Sequence, residues 1–311
     1  MGYLFVALAV FTGVTKGFCG KKISRFTSRY SQAMLANCVR MALCIAIGFF
    51  VALFESGISS FAVPAKMLLI SLLSGLSTAV FVVTWLISAR RGSYIMLDVF
   101  LTLAVVIPVG ASAIFFGEKV EWNHIVGFVL LLIAVIMLCS YNNSIKSKLT
   151  ISSLLLLIVA GVSSGLNDFS QKLLAYSYPS ESVAVFNFYS YVFSAIALAV
   201  VFTVSALKKS EEKHYEGINY EHDGESLSAK TLLIKTAPFL IAMAVCLFAN
   251  SYFASLSAQR LSSAQIYPLM KGGSLILSTL MSALFFGEKI KPVVIVGVAI
   301  TFIGLLIINL L

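Results

Sequence analysis

Apolar residues in this chain come in continuous runs about as long as a bilayer is thick. They can be drawn at roughly 2–18, 33–54, 65–88, 94–116 and 123–140, and again at roughly 151–176, 182–206, 232–257, 264–286 and 292–311. A crossing helix needs about 20 such residues, and a barrel strand about half as many. Backbone N–H and C=O groups in lipid must be satisfied within their own segment, so runs of this length predict helices. The pattern therefore predicts an all-α integral membrane protein with ten transmembrane helices.

Composition excludes the main alternative. Of 311 residues, 59% are apolar and 11% charged, with a mean hydropathy of +0.98, whereas a water-soluble globule has about a quarter of its residues charged. The net charge of +9 would suit a nucleic-acid binder, but its distribution argues against one. Lys21, Lys22, Arg25 and Arg29 follow the first run, Arg90 and Arg91 the third, Lys146 and Lys148 the fifth. Lys208, Lys209, Lys213 and Lys230 fall between the seventh and eighth runs with Lys235 at the start of the eighth, and Lys289 and Lys291 between the ninth and tenth. The alternate loops hold only Lys66, Lys119, Lys172 and Arg260. By the positive-inside rule the basic loops are cytoplasmic and both termini lie outside. The basicity is topology, no nucleic-acid partner is expected, and the expected location is the plasma (cell inner) membrane, crossed many times. Gly2 to Thr15 carries no basic residue before its apolar run, the reverse of a cleavable signal peptide.

The sequence also repeats itself. Residues 112–119 read SAIFFGEK and residues 282–289 read SALFFGEK, a spacing of 170 that also pairs Arg90 with Arg260 and Ser93 with Ser263. Earlier in each copy, GVTKG at 13–17 matches GVSSG at 161–165 at a spacing of 148. The difference of 22 residues is about the length of a hydrophilic loop at 207–231. The chain thus divides into a first five-helix repeat, 1–142, and a second, 143–311, which carries that loop. With an odd number of helices per copy, the second enters the membrane upside down relative to the first, as in secondary transporters whose two halves alternately open one site.

Ten helices, a doubled five-helix unit and a Gly-Glu closing the fourth and ninth helices resemble the drug/metabolite transporter superfamily, in particular its EamA-like branch. The resemblance covers nearly the whole chain. It implies a basket around a central cavity, lined mainly by helices 1 to 4 and 6 to 9, with helices 5 and 10 at the periphery. It also implies cytoplasmic termini for many relatives, which the charge distribution here reverses.

Gly117, Glu118, Gly287 and Glu288 read first as helix stops with interfacial ion pairs to Lys119 and Lys289. Gly13, Gly17, Gly161 and Gly165 read as close-packing positions. Trp85 and Trp122 read as an aromatic belt, though Trp85 is also within reach of the cavity. The charges within the apolar runs are the candidates for function, since burying one in lipid costs on the order of 3 kcal/mol or more. They are Lys16, Arg40, Asp98, Asp168 and Lys271. The repeat does not duplicate them: Lys271 aligns with Leu101, Asp98 with Pro268 and Lys16 with Ser164. Asp168 and Lys172 also stand at i, i+4, the spacing of a simple surface pair.

YPLMKGG at 267–273 surrounds Lys271 with a proline and two glycines, a composition expected to distort the helix and expose carbonyls to solute. Expected substrate-binding residues are Lys271, Arg40, Lys16, Tyr267, Asn167, Asn250, Tyr252, Asn187 and Trp85; Asp98 and Asp168 are expected to gate the mouths or carry a coupling proton. Three cations and two carboxylates suit a small polar solute with a negative group, anionic or zwitterionic. A cationic drug or amine exported against protons is the alternative, and a lipid flippase a more distant one. Residues 208–230 read as a solvated linker. No GxxxxGK[ST] motif occurs, so gradients rather than hydrolysis would drive transport. Cys19, Cys38, Cys44, Cys139 and Cys246 lack CxxC spacing, and the three histidines join no acidic cluster. No metal, cofactor or enzymatic activity is expected, and the functional unit is expected to be the monomer.

Overall fold

The computed structural model describes residues 1–24, 26–27, 30–91, 100–142, 151–207, 229–286 and 292–310. Among these, the chain forms ten α-helices: α1 (Gly2–Ser24), α2 (Tyr30–Ser56), α3 (Ala65–Arg91), α4 (Val106–Phe116) and α5 (Trp122–Asn142), then α6 (Ile151–Ser177), α7 (Val183–Leu207), α8 (Ala229–Ala258), α9 (Ser263–Phe286) and α10 (Pro292–Leu310). A 3₁₀ turn, Ile58–Phe61, links α2 to α3. Seven helices are long and apolar enough to cross a membrane, and three shorter apolar ones run over Phe100–Phe116, Trp122–Ala134 and Pro292–Ile308. Asp98 and most of the 207–231 loop lie outside the described residues.

The fourth apolar run is not one uniform helix. Residues 100–103 are helical, a turn follows at 104–105, and α4 then begins. Pro108 supplies no N–H and its ring crowds the carbonyl four residues back, so the chain tightens here. The short-range bonds Val105 N–H to Thr102 O (3.3 Å) and Ile107 N–H to Ala104 O (3.1 Å) take over. That turn faces α6 where GVSSG leaves two bare positions. A Cβ on Gly165 would stand 2.8 Å from Ala104 O, and one on Gly161 3.2 Å from Phe100 O. At its far end α4 stops at Gly117, whose left-handed backbone (φ 66°, ψ 22°) turns its N–H back to Ser112 O.

Most helix pairings map onto one another under exchange of the two repeats, though α9 packs on α10 without an equally close α4–α5 counterpart. Pairing α1 with α8 maps onto pairing α6 with α3; α3 with α7 maps onto α8 with α2; α1 with α9 maps onto α6 with α4. The pairs α2–α7, α4–α9 and α5–α10 map onto themselves. Contact registers give the directions. Along α1 and α9, Val10 meets Gly273 and Phe18 meets Phe285, so the two run parallel. Along α6 and α9, Ser164 meets Lys271 and the backbone of Asp168 meets Tyr267, so those two run antiparallel. Equivalent helices α1 and α6 therefore point opposite ways.

YPLMKGG does not unwind α9, which is continuous from Ser263 to Phe286. Its glycines serve packing: a Cβ on Gly272 would be 2.6 Å from Leu305 of α10, and one on Gly273 3.3 Å from Val10 of α1. At the periphery α5 and α10 cross backbone to backbone, a Cβ on Gly127 falling 2.8 Å from Gly304 O.

Candidate functional site

α6 presents Ser164, Asn167, Asp168 and Gln171 along one face, at the i, i+3, i+4, i+7 spacing of a single helical stripe. This stripe lines a pocket whose other walls come from α1, α3, α8, α9 and Leu101. Gly13 of GVTKG lets α8 approach α1: a Cβ there would lie 3.0 Å from Asn250 Nδ2. The pocket encloses about 90 Å³, well below the roughly 300–1,000 Å³ of typical small-molecule sites. A drug-sized molecule would not fit within this volume.

Two lysines from different repeats reach this space. Lys271 Nζ stands 2.7 Å from Asp168 Oδ2 and donates to Ser164 Oγ at 2.8 Å. Lys16 Nζ donates to Asn250 Oδ1 at 3.3 Å and sits 5.8 Å from the centre of the Phe81 ring. Asn250 in turn donates from Nδ2 to Ala9 O at 2.7 Å, which fixes its amide orientation. Asn167 Oδ1 accepts from both Ser74 Oγ (2.9 Å) and Thr78 Oγ1 (3.1 Å), tying α6 to α3. Gln171 is 2% exposed and its Oε1 has no donor. Trp85 closes one end, buried at 6% exposure, its ring 2.5 Å from where a Cβ on Gly20 would be.

Of the residues singled out in the sequence, the pocket thus brings together Lys16, Trp85, Asn167, Asp168, Asn250 and Lys271. Trp85 is not part of an interfacial belt, whereas Trp122 is exposed. Four residues lie elsewhere. Tyr267 is fully buried, donating to the backbone carbonyl of Asp168 at 2.6 Å, so it holds α6 against α9. Asn187 spends its amide on Val183 O of its own helix at 3.0 Å. Tyr252 donates to Glu55 Oε1 at 2.9 Å, near the α2 terminus. Arg40 is buried between α2 and α8, beside Met243. Gln171, Ser164 and Thr78 were not singled out; the helical spacing of polar residues along α6 is the signal that would have found the first two.

The Gly-Glu motif also differs from its reading as a stop with a neighbouring lysine. Glu118 pairs with Lys172, not Lys119: Lys172 Nζ is 2.7 Å from Glu118 Oε1 and also donates to Ala258 O (3.2 Å) and Leu261 O (2.9 Å). Glu118 Oε2 accepts the backbone N–H of Ser263 at 2.8 Å, so a carboxylate from the end of α4 caps the start of α9. Ser263 Oγ and Ser112 Oγ are 2.8 Å apart across the same junction. Lys172 is therefore no partner for Asp168; it bonds the carbonyls at the end of α8.

The model of the EamA-like transporter family matches residues 1–140 and again 151–310. A solved structure described only as "Crystal structure of protein" superposes with a TM-score of 0.68 at 13% identity, over 99% of this chain and 97% of that one, a likeness of fold. No curated protein matches the chain. The chain belongs to the EamA-like transporter family, and is accordingly a multi-pass membrane transporter of the drug/metabolite type.

Proposed function

We propose that this EamA-like transporter moves a small polar metabolite, anionic or zwitterionic, by alternating access as a secondary active transporter. Lys16 and Lys271, from different repeats, reach one pocket that holds a single described carboxylate, Asp168, already engaged by Lys271. This observation carries the reading. A negative group entering the pocket competes with Asp168 for Lys271. Gln171 Oε1, buried without a donor, suits the ammonium of a zwitterion. Gln171 and Asp168 together would suit an amine if Lys271 withdrew, so a cationic substrate is the second reading.

The mechanics follow from the opposed directions of α1 and α6. We read the chain as ten crossings in two inverted repeats, 1–142 and 143–311, with the basic loops cytoplasmic and the monomer sufficient. Asp168, released from Lys271, is the described group suited to gating or to carrying a coupling proton; Asp98 is assigned the same role from sequence alone.

The deciding experiment is a panel of organic acids, phosphorylated metabolites, zwitterions and amines, screened for thermal stabilisation of the purified protein. A ligand that prefers the folded state raises its apparent stability. Stabilisation by an acid or zwitterion is expected, and Lys271→Gln should weaken it about 10- to 150-fold, the loss of a charge-assisted hydrogen bond of roughly 1.5–3 kcal/mol. Stabilisation by amines alone would replace this reading with the second.

A further inference from the structure

Arg40 lies deep among α2, α7 and α8, and its surroundings do not neutralise it. It is 2% exposed. Nη2 donates to Asn37 Oδ1 at 2.6 Å, and Nη1 reaches only the thioether of Met243, at 3.4 Å. Nε has no acceptor, and neither does Nδ2 of Asn37, itself 2% exposed. Among the described residues, both buried ion pairs are made by lysines, and no carboxylate comes within ion-pair distance of Arg40.

These observations share one sign. A thioether is a weak acceptor, and a guanidinium removed from water without a counter-ion is among the costliest arrangements a fold can hold. Both unsatisfied atoms beside it are donors. A water molecule would accept from them but leave the charge unbalanced, whereas a compact anion answers both.

We propose that Asn37 and Arg40 form a buried anion site that takes a small monovalent anion, either free chloride or a carboxylate group. Nε of Arg40 and Nδ2 of Asn37 are its donors, and Met243 packs against the neighbouring Nη1. The Met243 methyl lies 2.9 Å from where a Cβ on Gly20 would stand, beside Trp85 at the end of the pocket. Met243 thus separates Arg40 from that end, and a flexible unbranched side chain can turn aside. Binding of a free halide needs no transported solute; only the carboxylate source rests on the transport reading above.

The test uses the full chain in lipid nanodiscs, with a bulky sulfonate as the sole anion. Sodium chloride and sodium acetate are titrated separately at constant ionic strength, and the thermal midpoint is read. The wild type should show a saturable rise of a few degrees. Asn37→Asp puts a carboxylate where Oδ1 already meets Nη2, so it should unfold at or above the anion-saturated wild type and ignore added anion. Arg40→Gln should also lose the response.

A rise with chloride identifies free halide as the source; a rise with acetate alone identifies a carboxylate such as a solute carries. A wild type that answers neither anion overturns the site. An Asn37→Asp response equal to that of the wild type overturns it too. Should Asn37→Asp fail to fold, an undiminished response in Arg40→Gln has the same force. Because the metabolite panel turns on Lys271, failure of either proposal leaves the other standing.

Discussion

The two ends of the pocket are closed by different chemistry, although the repeats that build them share their helix pairings. Where α6 and α8 finish and α9 begins, Lys271 joins Asp168, and Lys172 joins Glu118 and two carbonyls. Where α1 and α3 finish, Trp85 lies against Gly20 amid Cys19, Ile23, Leu240 and Met243. Equivalent positions have diverged to make the difference. Asp168 aligns with Gly20, Ser164 with Lys16, and Lys271 with Leu101. The duplicated frame sets where closures can form, and single side chains decide what each is made of. A polar closure is directional and costly to leave half-made; an apolar one tolerates sliding but not added volume.

Lys172→Met tests the polar end most severely. It leaves Glu118 without its cation, and a loss of about 3–5 kcal/mol is expected in thermal or chemical unfolding. Adding Glu118→Gln should recover part of that loss, because no buried charge is then left alone. If the double variant is no better than the single one, the lysine matters for its bonds to Ala258 and Leu261 rather than for the ion pair.

Asp168→Asn should be milder, because the amide oxygen still accepts from Lys271 and Lys271 keeps its bond to Ser164 Oγ. It should also raise the reactivity of cysteines introduced near the start of α9, because the neutral amide holds Lys271 less firmly. Unchanged reactivity would make the pair a packing element and not a closure.

At the apolar end, Gly20→Ala forces a methyl to 2.5 Å from the Trp85 ring. Overpacking of this kind costs about 1–3 kcal/mol, and Trp85 emission, read in a Trp122→Phe background, should shift red as its packing loosens. An unshifted spectrum would mean that Trp85 has room to move and that this end is not tightly sealed. The smallest effect belongs to Tyr252→Phe, which removes the exposed hydroxyl bond to Glu55 and should stay within about 0.5 kcal/mol. A larger change there would extend the polar closure as far as α2.

Much of the frame was legible because lipid makes single stretches informative. Seven of the apolar runs correspond to helices long enough to cross a membrane, Gly13, Gly161 and Gly165 do mark close approaches, and the charges within helices led to Lys16, Asp168 and Lys271, which line one pocket. Register was not legible. Tyr267 and Asn187 look like cavity residues until it is known which way each side chain turns, and Asn187 satisfies itself within its own helix. The Lys172 partner is 54 positions back in the chain, so local spacing pointed to Asp168 instead. YPLMKGG misled for a related reason, since glycine that permits unwinding also permits tight packing, and only the neighbours Leu305 and Val10 distinguish the two.

The crossing of α5 and α10 at Gly127 and Gly304 bears on how the protein is made. Gly304 is synthesised nearly 180 residues after Gly127, which at typical elongation rates is roughly 10–35 s. For that interval the first half sits in the membrane with the bare groove of its fifth helix unoccupied.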